Sequence, residues 1–338
     1  MSGSRLASKD IEVAQAGRRT LASFIAMALL AALGAPAAAA YPERPVRIIV
    51  AGPAGATADI TARLLSEGLA KELGQPVIVD PKPGAAGVIA VNELLAAPSD
   101  GYTVLVAVNS LVSEIPHIIK VRHDMTRVIR PLAELARGGL VLVATPSFPA
   151  NTVPELVRHA KANPGKLSYA SYSPGTMSHI LGLQLNRAAG IDLVHAGYKG
   201  STPALGDVMG GHVPLMFDGM PSALPLIRSG KIKALAVSTP ARTPLLPEVP
   251  TFSELGYPQL TTIAWMALWA TPDVPVAVQE RLREAALRVM ATPEARTRLM
   301  EAGFEPGQKR STADMQDALR SDHERVGALL KSIGFKPE

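Results

Sequence analysis

Apolar and polar positions along this chain fall into blocks whose period and length separate strand from helix. VRIIVA at 46–51 is a short continuous apolar run and reads as a strand. In ITARLLSEGLAKEL at 60–73 the apolar residues recur at three- and four-residue spacing, which predicts a helix. PVIVD at 76–80 is a second strand, the turn KPGAAG opens a helix over VIAVNELLAA, and YTVLVAV at 102–108 is a third strand. Leu140–Ala144 reads as another, at a Gly-rich point. The unit then repeats, with helices over 153–163, 177–190 and 202–211 and strands over 166–170, 192–198, 213–219 and 231–239. TTIAWMALWA at 261–270 is strand-like and is stopped by Pro272 and Pro275; helices over 274–291, 293–303 and 311–334 close the chain. Such alternation predicts an α/β fold of two doubly wound lobes, each a parallel sheet covered on both faces, with helices 276–331 returning to the first lobe. Loops at the carboxyl ends of the strands would then line a cleft that closes by hinge motion.

The front end sets the compartment. Arg18 and Arg19 precede an apolar run over 21–35, and Ala38 and Ala40 fit the −3 and −1 positions of a signal-peptidase site. That core is about 15 residues, short of the roughly 20 a membrane span needs. Residues 1–40 are therefore read as an export signal cleaved after Ala40, giving a free soluble protein of the periplasm. GRRTLAS is a poor match to a twin-arginine signal. The chain has no cysteine, which excludes a lipid-anchored export form, disulfides and thiolate metal sites.

What remains, residues 41–338, is long enough for two lobes with separate cores. The formal charge is +5 for the whole chain, and the leader carries four basic and two acidic residues, so the rest is near +3. Its basic residues are scattered and aromatics make up 4%, which argues against nucleic acid as a partner. The seven histidines are dispersed with no H-E-x-x-H, so no metal is expected. There is no G-x-S-x-G elbow and no phosphate-binding G-x-x-x-x-G-K-[ST]. GPAGATAD lacks dinucleotide spacing, although Asp80 ends the second strand near where a ribose acid would sit. No cofactor is expected.

Two turns carry the candidate chemistry. YASYSPGTMSHIL at 169–181 runs from a strand through a Ser/Gly/Pro turn into a helix, and GPAGATAD at 52–59 has the same design. Backbone N–H groups and hydroxyls at a helix start can hold an anion without a basic side chain. The first turn offers Ala54, Gly55, Ala56 and Thr57, with Asp59 either capping the helix or meeting a ligand directly. The second offers Tyr172, Ser173, Gly175, Thr176 and Ser178. Ser178 and His179 are adjacent on a helix and do not face each other, so they form no nucleophile–base pair; His179 is read as a core histidine or one standing behind the ligand loop. Asn109 and Ser110 end the third strand as pocket residues or turn caps. Tyr198 and Lys199 follow a strand, with Lys199 either neutralising an acid ligand or sitting on the surface. Asp218 ends another strand and either bridges the lobes or caps the next segment.

The chain resembles the tripartite tricarboxylate transporter substrate-binding receptors, the Bug family of periplasmic solute receptors. The resemblance is carried by YPERPVRIIV at 41–50, GPAGATADITARLL at 52–65, LGQPVIVDPKPGAAGVIAVNELLAAPSDGYT at 73–103, HAGYKGSTPALGDVMGGHVPLMFDG at 195–219 and RSGKIKALAVSTPARTPLLPEVPTFSELGYP at 228–258. It implies a two-lobed periplasmic binding protein fold of type II, a Venus flytrap. The first lobe would comprise 41–142 and 265–338, and the second 143–264. It implies a receptor, not an enzyme, that captures a di- or tricarboxylate, an acidic amino acid or an aromatic acid for a membrane permease. The carboxylate would be gripped by residues 53–59 and 172–178, with Asn109, Ser110 and Tyr198 to Gly200 nearby. A monomer is expected, because docking needs exposed lobe faces. Departures from the family pattern are Gly52 in place of an aromatic, Ala56 in place of a second glycine, Tyr172, Pro174 and Met177 in place of small residues, and Leu111-Val112-Ser113 after the third strand. A sensor docking on a signalling membrane protein would share the same cleft, and a hydrolase or transferase would need a nucleophile–base pair or metal.

Overall fold

Val46–Val50 (β1) is apolar throughout because both of its faces are covered: Val46, Ile48, Ile49 and Val50 are fully buried. It pairs in parallel with Val77–Pro81 (β2) on one side and Thr103–Val108 (β3) on the other. Helices Thr57–Leu73 and Val88–Ala96 make the crossovers. Ala264–Ala270 (β10) runs antiparallel between β3 and Arg130–Gly138 (β4), and the short Glu305–Pro306 (β11) adds to the far side of β4. The order of this six-stranded sheet is β11-β4-β10-β3-β1-β2. A five-stranded sheet follows, built from Leu140–Ala144 (β5), Leu167–Ser171 (β6), Leu193–Gly197 (β7), Leu215–Gly219 (β8) and Lys233–Val237 (β9), in the order β7-β6-β8-β5-β9. The computed structural model describes residues 41–332 and 334–336; the expected export signal and its cleavage after Ala40 lie outside the described residues. From Arg44 onward the chain is a single compact unit, and no described helix is long and apolar enough to cross a membrane.

The sheets are mixed, which corrects the expectation of parallel sheets. Parallel pairing is confined to β2-β1-β3 and β7-β6-β8; β5 and β10 lie antiparallel to their neighbours. The reason is the crossing between sheets. β4 leads into β5 through Gly139 alone, so no helix intervenes to reverse the chain as in a βαβ unit. The two longest elements that escape the periodicity are β4 and the helix Met220–Arg228. β4 contains Arg130, Pro131, Glu134 and Arg137, which break its apolar pattern. Helix Met220–Arg228 carries Pro221 in its first turn and Pro225 inside.

The chain passes between the sheets twice, through Gly139 and through residues 238–263, and Ser238 ties the two passages together. Its hydroxyl accepts the Leu140 N–H at 2.9 Å and donates to the Thr262 carbonyl at 3.0 Å. Its own backbone bonds Leu140 and Thr262 again, each at 2.8 Å. The packing is tight: a Cβ on Gly139 would come within 2.6 Å of Thr239 Cγ2. Helices Val276–Ala291 and Pro293–Glu301 pack on the first sheet's side, against β4 and the Thr57–Leu73 helix. The last helix, Thr312–Ser332, is divided. Met315 and Leu319 are buried in the core of the first sheet, whereas Val326 and Leu330 are buried with Ile115, Ile118 and Met177 in a core of the second.

Ser238→Ala is expected to cost about 1–3 kcal/mol, because it leaves the buried Leu140 N–H and the part-buried Thr262 carbonyl without their side-chain partner. Urea denaturation of the variant against the parent measures the loss; an unchanged midpoint would remove the hydroxyl from the account of the crossing.

Candidate functional site

Two loops leave the carboxyl ends of β1 and β6, and they are built alike. Each places a glycine in the left-handed region, Gly55 at φ 78° and Gly175 at φ 79°, where a side chain would be strained. Each follows it with an extended N-cap residue, Ala56 (φ −78°, ψ 168°) and Thr176 (φ −77°, ψ 168°). In each, the third helical residue reaches back to accept the glycine N–H: Asp59 Oδ2 from Gly55 at 2.8 Å, and His179 Nδ1 from Gly175 at 3.0 Å. One side chain thus holds each loop on its helix start, a relative of the capping box.

The two locks differ in charge. Burial alone would push the Asp59 carboxyl up, but hydrogen bonds from Arg63 Nε at 2.8 Å and from Gly55 hold it below the usual carboxylate range. Its other oxygen, Oδ1, is buried without a partner. His179 is buried and stacked on His195 with ring centroids 3.8 Å apart; burial and that neighbour push it down to about 4. It is therefore neutral near pH 7, as an Nδ1 acceptor must be. His195 Nε2 in turn lies 2.7 Å from Ser171 Oγ. The expectation that His179 stands behind the loop thus takes a specific form.

At the second loop, several polar groups are already engaged. Thr176 Oγ1 donates to the Ser173 carbonyl at 2.6 Å, and the fully buried Ser178 hydroxyl donates to the Phe217 carbonyl. The Tyr172 hydroxyl is raised by burial and sits beside the Thr176 hydroxyl and the Ser178 N–H. Ser173 is half-buried and Pro174 exposed. The first-turn N–H of Met177 donates to Glu114 Oε2 at 3.0 Å. Glu114 escaped the sequence reading, since an acid within the apolar run LVSEIPHII carries no local signal of its partner. Burial raises its carboxyl from 4.5 to about 7, against the lowering effect of the Met177 bond.

Asn109 joins the end of β3 to β10, its backbone N–H donating to the Trp265 carbonyl at 2.9 Å and its Oδ1 accepting the Trp265 N–H at 3.0 Å. Asn109, Ser110 and Tyr172 come together with Glu114 and Met177 around a small cavity of about 50 Å³, room for a few waters. The loop of Ala54, Gly55, Ala56, Thr57 and Asp59 is not among its walls, nor are Ser173, Gly175, Thr176, Ser178, Tyr198, Lys199 and Asp218. Ala54 and Gly55 are exposed, and a Cβ on Gly55 would meet open space. Tyr198 donates from its hydroxyl to Asp207 at 2.6 Å and from its backbone to Ser171 at 3.0 Å; Lys199 is exposed. Asp218 is fully buried and accepts the hydroxyls of Ser201 at 2.6 Å and Ser222 at 2.5 Å, joining the starts of two helices. Asp80 accepts from Arg47 Nε at 2.9 Å. Among the described residues, no three His, Asp or Glu side chains are placed to hold a metal ion.

A family model described as "Tripartite tricarboxylate transporter family receptor" matches residues 61–335. The chain is 36% identical over 280 residues to protein BugT of Bordetella pertussis, covering 78% of this chain and 83% of that protein. Among solved structures it is similar to the periplasmic binding protein BugD, with a TM-score of 0.73 at 31% identity over 88% of this chain and all of that one. It is also similar to an R. palustris protein solved with adipate, with a TM-score of 0.78 at 29% identity and the same coverage.

The Glu114 carboxyl gives a signed pH effect. Between pH 4.5 and about 7 the folded state keeps a proton that the unfolded chain has lost, so its stabilising contribution is lost as pH rises through that window. His179 acts in the opposite sense from about 4 to 6.5, and it cancels when Glu114→Gln is compared with the parent. The parent's stability relative to that variant is expected to fall by about 3 kcal/mol across the window. Denaturant titrations at several pH values test this; pH-independent differences would mean that Glu114 ionises as if exposed.

Proposed function

The chain belongs to the tripartite tricarboxylate transporter receptor family, a periplasmic solute-binding receptor for small organic acids, and we propose that it grips one ligand carboxylate between its two glycine-containing loops. The observation that carries this reading is the shared loop geometry, in which Gly55 and Gly175 each precede a helix start held by the third helical side chain. Helix starts present outward N–H groups and the positive end of the helix dipole, so a carboxylate can exchange its water shell for fixed donors. In this reading Ala54 to Asp59 supply one side and Tyr172 to Ser178 the other. Tyr198 and Lys199 flank the second loop, where the Gly200 N–H bonds the Tyr172 carbonyl at 2.8 Å. The structure similar to this chain that was solved with adipate supports a small carboxylic acid as cargo.

The receptor acts without catalysis, as an exported monomer whose signal is removed after Ala40, and hands its ligand to the permease subunits of a tripartite transporter. A thermal-shift screen of the purified protein against mono-, di- and tricarboxylates, acidic amino acids and aromatic acids tests it. One class of acid should raise the melting temperature in a dose-dependent way. Ser173→Leu, at a half-buried loop position, should weaken that acid at least about tenfold while the protein remains folded. Unchanged affinity would remove the second loop from the site.

A further inference from the structure

The two glycine loops are built alike but are not equally covered. Gly55 faces open space: a Cβ there would meet nothing within 4 Å. Gly175 is buried, and a Cβ there would come within 2.8 Å of Ile118 Cγ1 and 2.9 Å of Phe335 Cζ. Glycine is therefore required at 175 twice, by its positive φ and by the two side chains that close over it. Neither comes from the segment that builds the second sheet. Ile118 ends the short helix Ile115–Ile118 that follows β3, and Phe335 lies just beyond the helix Thr312–Ser332. The helix end fixes Phe335 there. Its N–H donates to the Leu330 carbonyl at 3.0 Å, and the N–H of Gly334, at φ 70°, donates to the Lys331 carbonyl at 3.1 Å. These are the two bonds of a Schellman cap, which turns the apolar residue after the glycine back onto the buried face of the helix. Phe335 accordingly packs on the core that holds Val326, Leu330, Ile118 and Met177.

From this arrangement we propose that Phe335 is a positioning residue for carboxylate binding, which holds the second loop in place by covering Gly175. The inference rests on the carboxylate-receptor reading and adds to it a residue outside both loops. A glycine has no side chain to anchor it and the widest backbone freedom of any residue, so its conformation is set from outside. Within the loop, the Gly175 N–H bond to His179 and the Thr176 bond to the Ser173 carbonyl hold it from one side. Phe335 and Ile118 close the other. The ring also relates this loop to the first sheet. The helix that leads to Phe335 is buried through Met315 and Leu319 in the core of that sheet, which carries the first loop. A loop fixed before its ligand arrives loses less entropy on binding, and a shift of about 1 Å in a supporting group is enough to loosen a site.

The test begins with hydrogen exchange of the parent, Phe335→Ala and Phe335→Leu, read over residues 172–178 and over β5. In Phe335→Ala the loop segment is expected to exchange at least about tenfold faster while β5 is unchanged. Phe335→Leu, which refills the apolar contact, should restore most of the protection. Equal acceleration of both segments would reduce the ring to general stability of the second core and overturn the inference, as would an unchanged loop. Calorimetric titration with adipate, glutamate and benzoate then joins the loop to its ligand. Whichever acid the parent binds should bind Phe335→Ala at least about tenfold more weakly, and Phe335→Leu nearly as well as the parent. By reciprocity that acid should slow exchange over residues 329–336 in the parent, which keeps the test decisive if the alanine variant does not fold. Unchanged affinity in Phe335→Ala, or no slowing in the parent, would overturn the inference and leave the receptor reading standing. Binding of none of the three acids would overturn the carboxylate reading for this chain, and the inference with it.

Discussion

The two sheets are tied where the chain crosses between them, at the buried Ser238 hydroxyl. The chain crosses between the sheets twice, and Ser238, at the start of the second crossing, bonds Leu140 on the first and Thr262 at the far end of its own through both its side chain and its backbone. Ser238 itself is fully buried, so breaking its bond to the Leu140 N–H leaves a polar group without its partner in the interior. A shift of one crossing is therefore felt by the other, and the loops after β1 and β6 keep a defined relation. The last helix adds a second tie, burying its early residues with one sheet and its late residues with the other. Motion between the sheets has to bend at the crossings and carry this helix with it.

Within that frame, the candidate site is made from backbone in preference to charge. Several cations are committed to acids of the scaffold itself: Arg63 to Asp59, Arg47 to Asp80 and Glu93, Arg137 to Glu134 and Arg325 to Asp322. What the loops present is a glycine with positive φ, a helix start and a back-bonding side chain. A fixed dipole of this kind needs no long side chain to be ordered when the ligand arrives, so little rotamer entropy is lost on binding. It also carries no net charge, which suits a receptor that must release its ligand.

The loops were legible in the sequence because their physics is local. A glycine, a small or hydroxyl N-cap and an apolar helix within a dozen residues signal a helix start wherever they occur, and GPAGATAD and SYSPGTMSH both have them. Helices and buried strands were legible for the same reason, through period and length. What depended on distant partners was not. The antiparallel direction of β5 and β10 follows from how the chain crosses between sheets, which no window of sequence records. β4 was hidden by Glu134, a charge that is tolerated in a strand only because Arg137 and Arg310 reach it. Glu114 was invisible as a site residue because the N–H it holds belongs to Met177, far along the chain.

Glu114 raises a question of economy that packing alone does not answer. A glutamine would accept the Met177 N–H equally well. The carboxyl is worse than that amide for stability at neutral pH and above, since ionisation in a buried site is opposed by desolvation. Groups that oppose folding persist where function uses them. The position of Glu114 joins two distant parts of the chain: the acid spans from the loop after β3 to the helix start after β6.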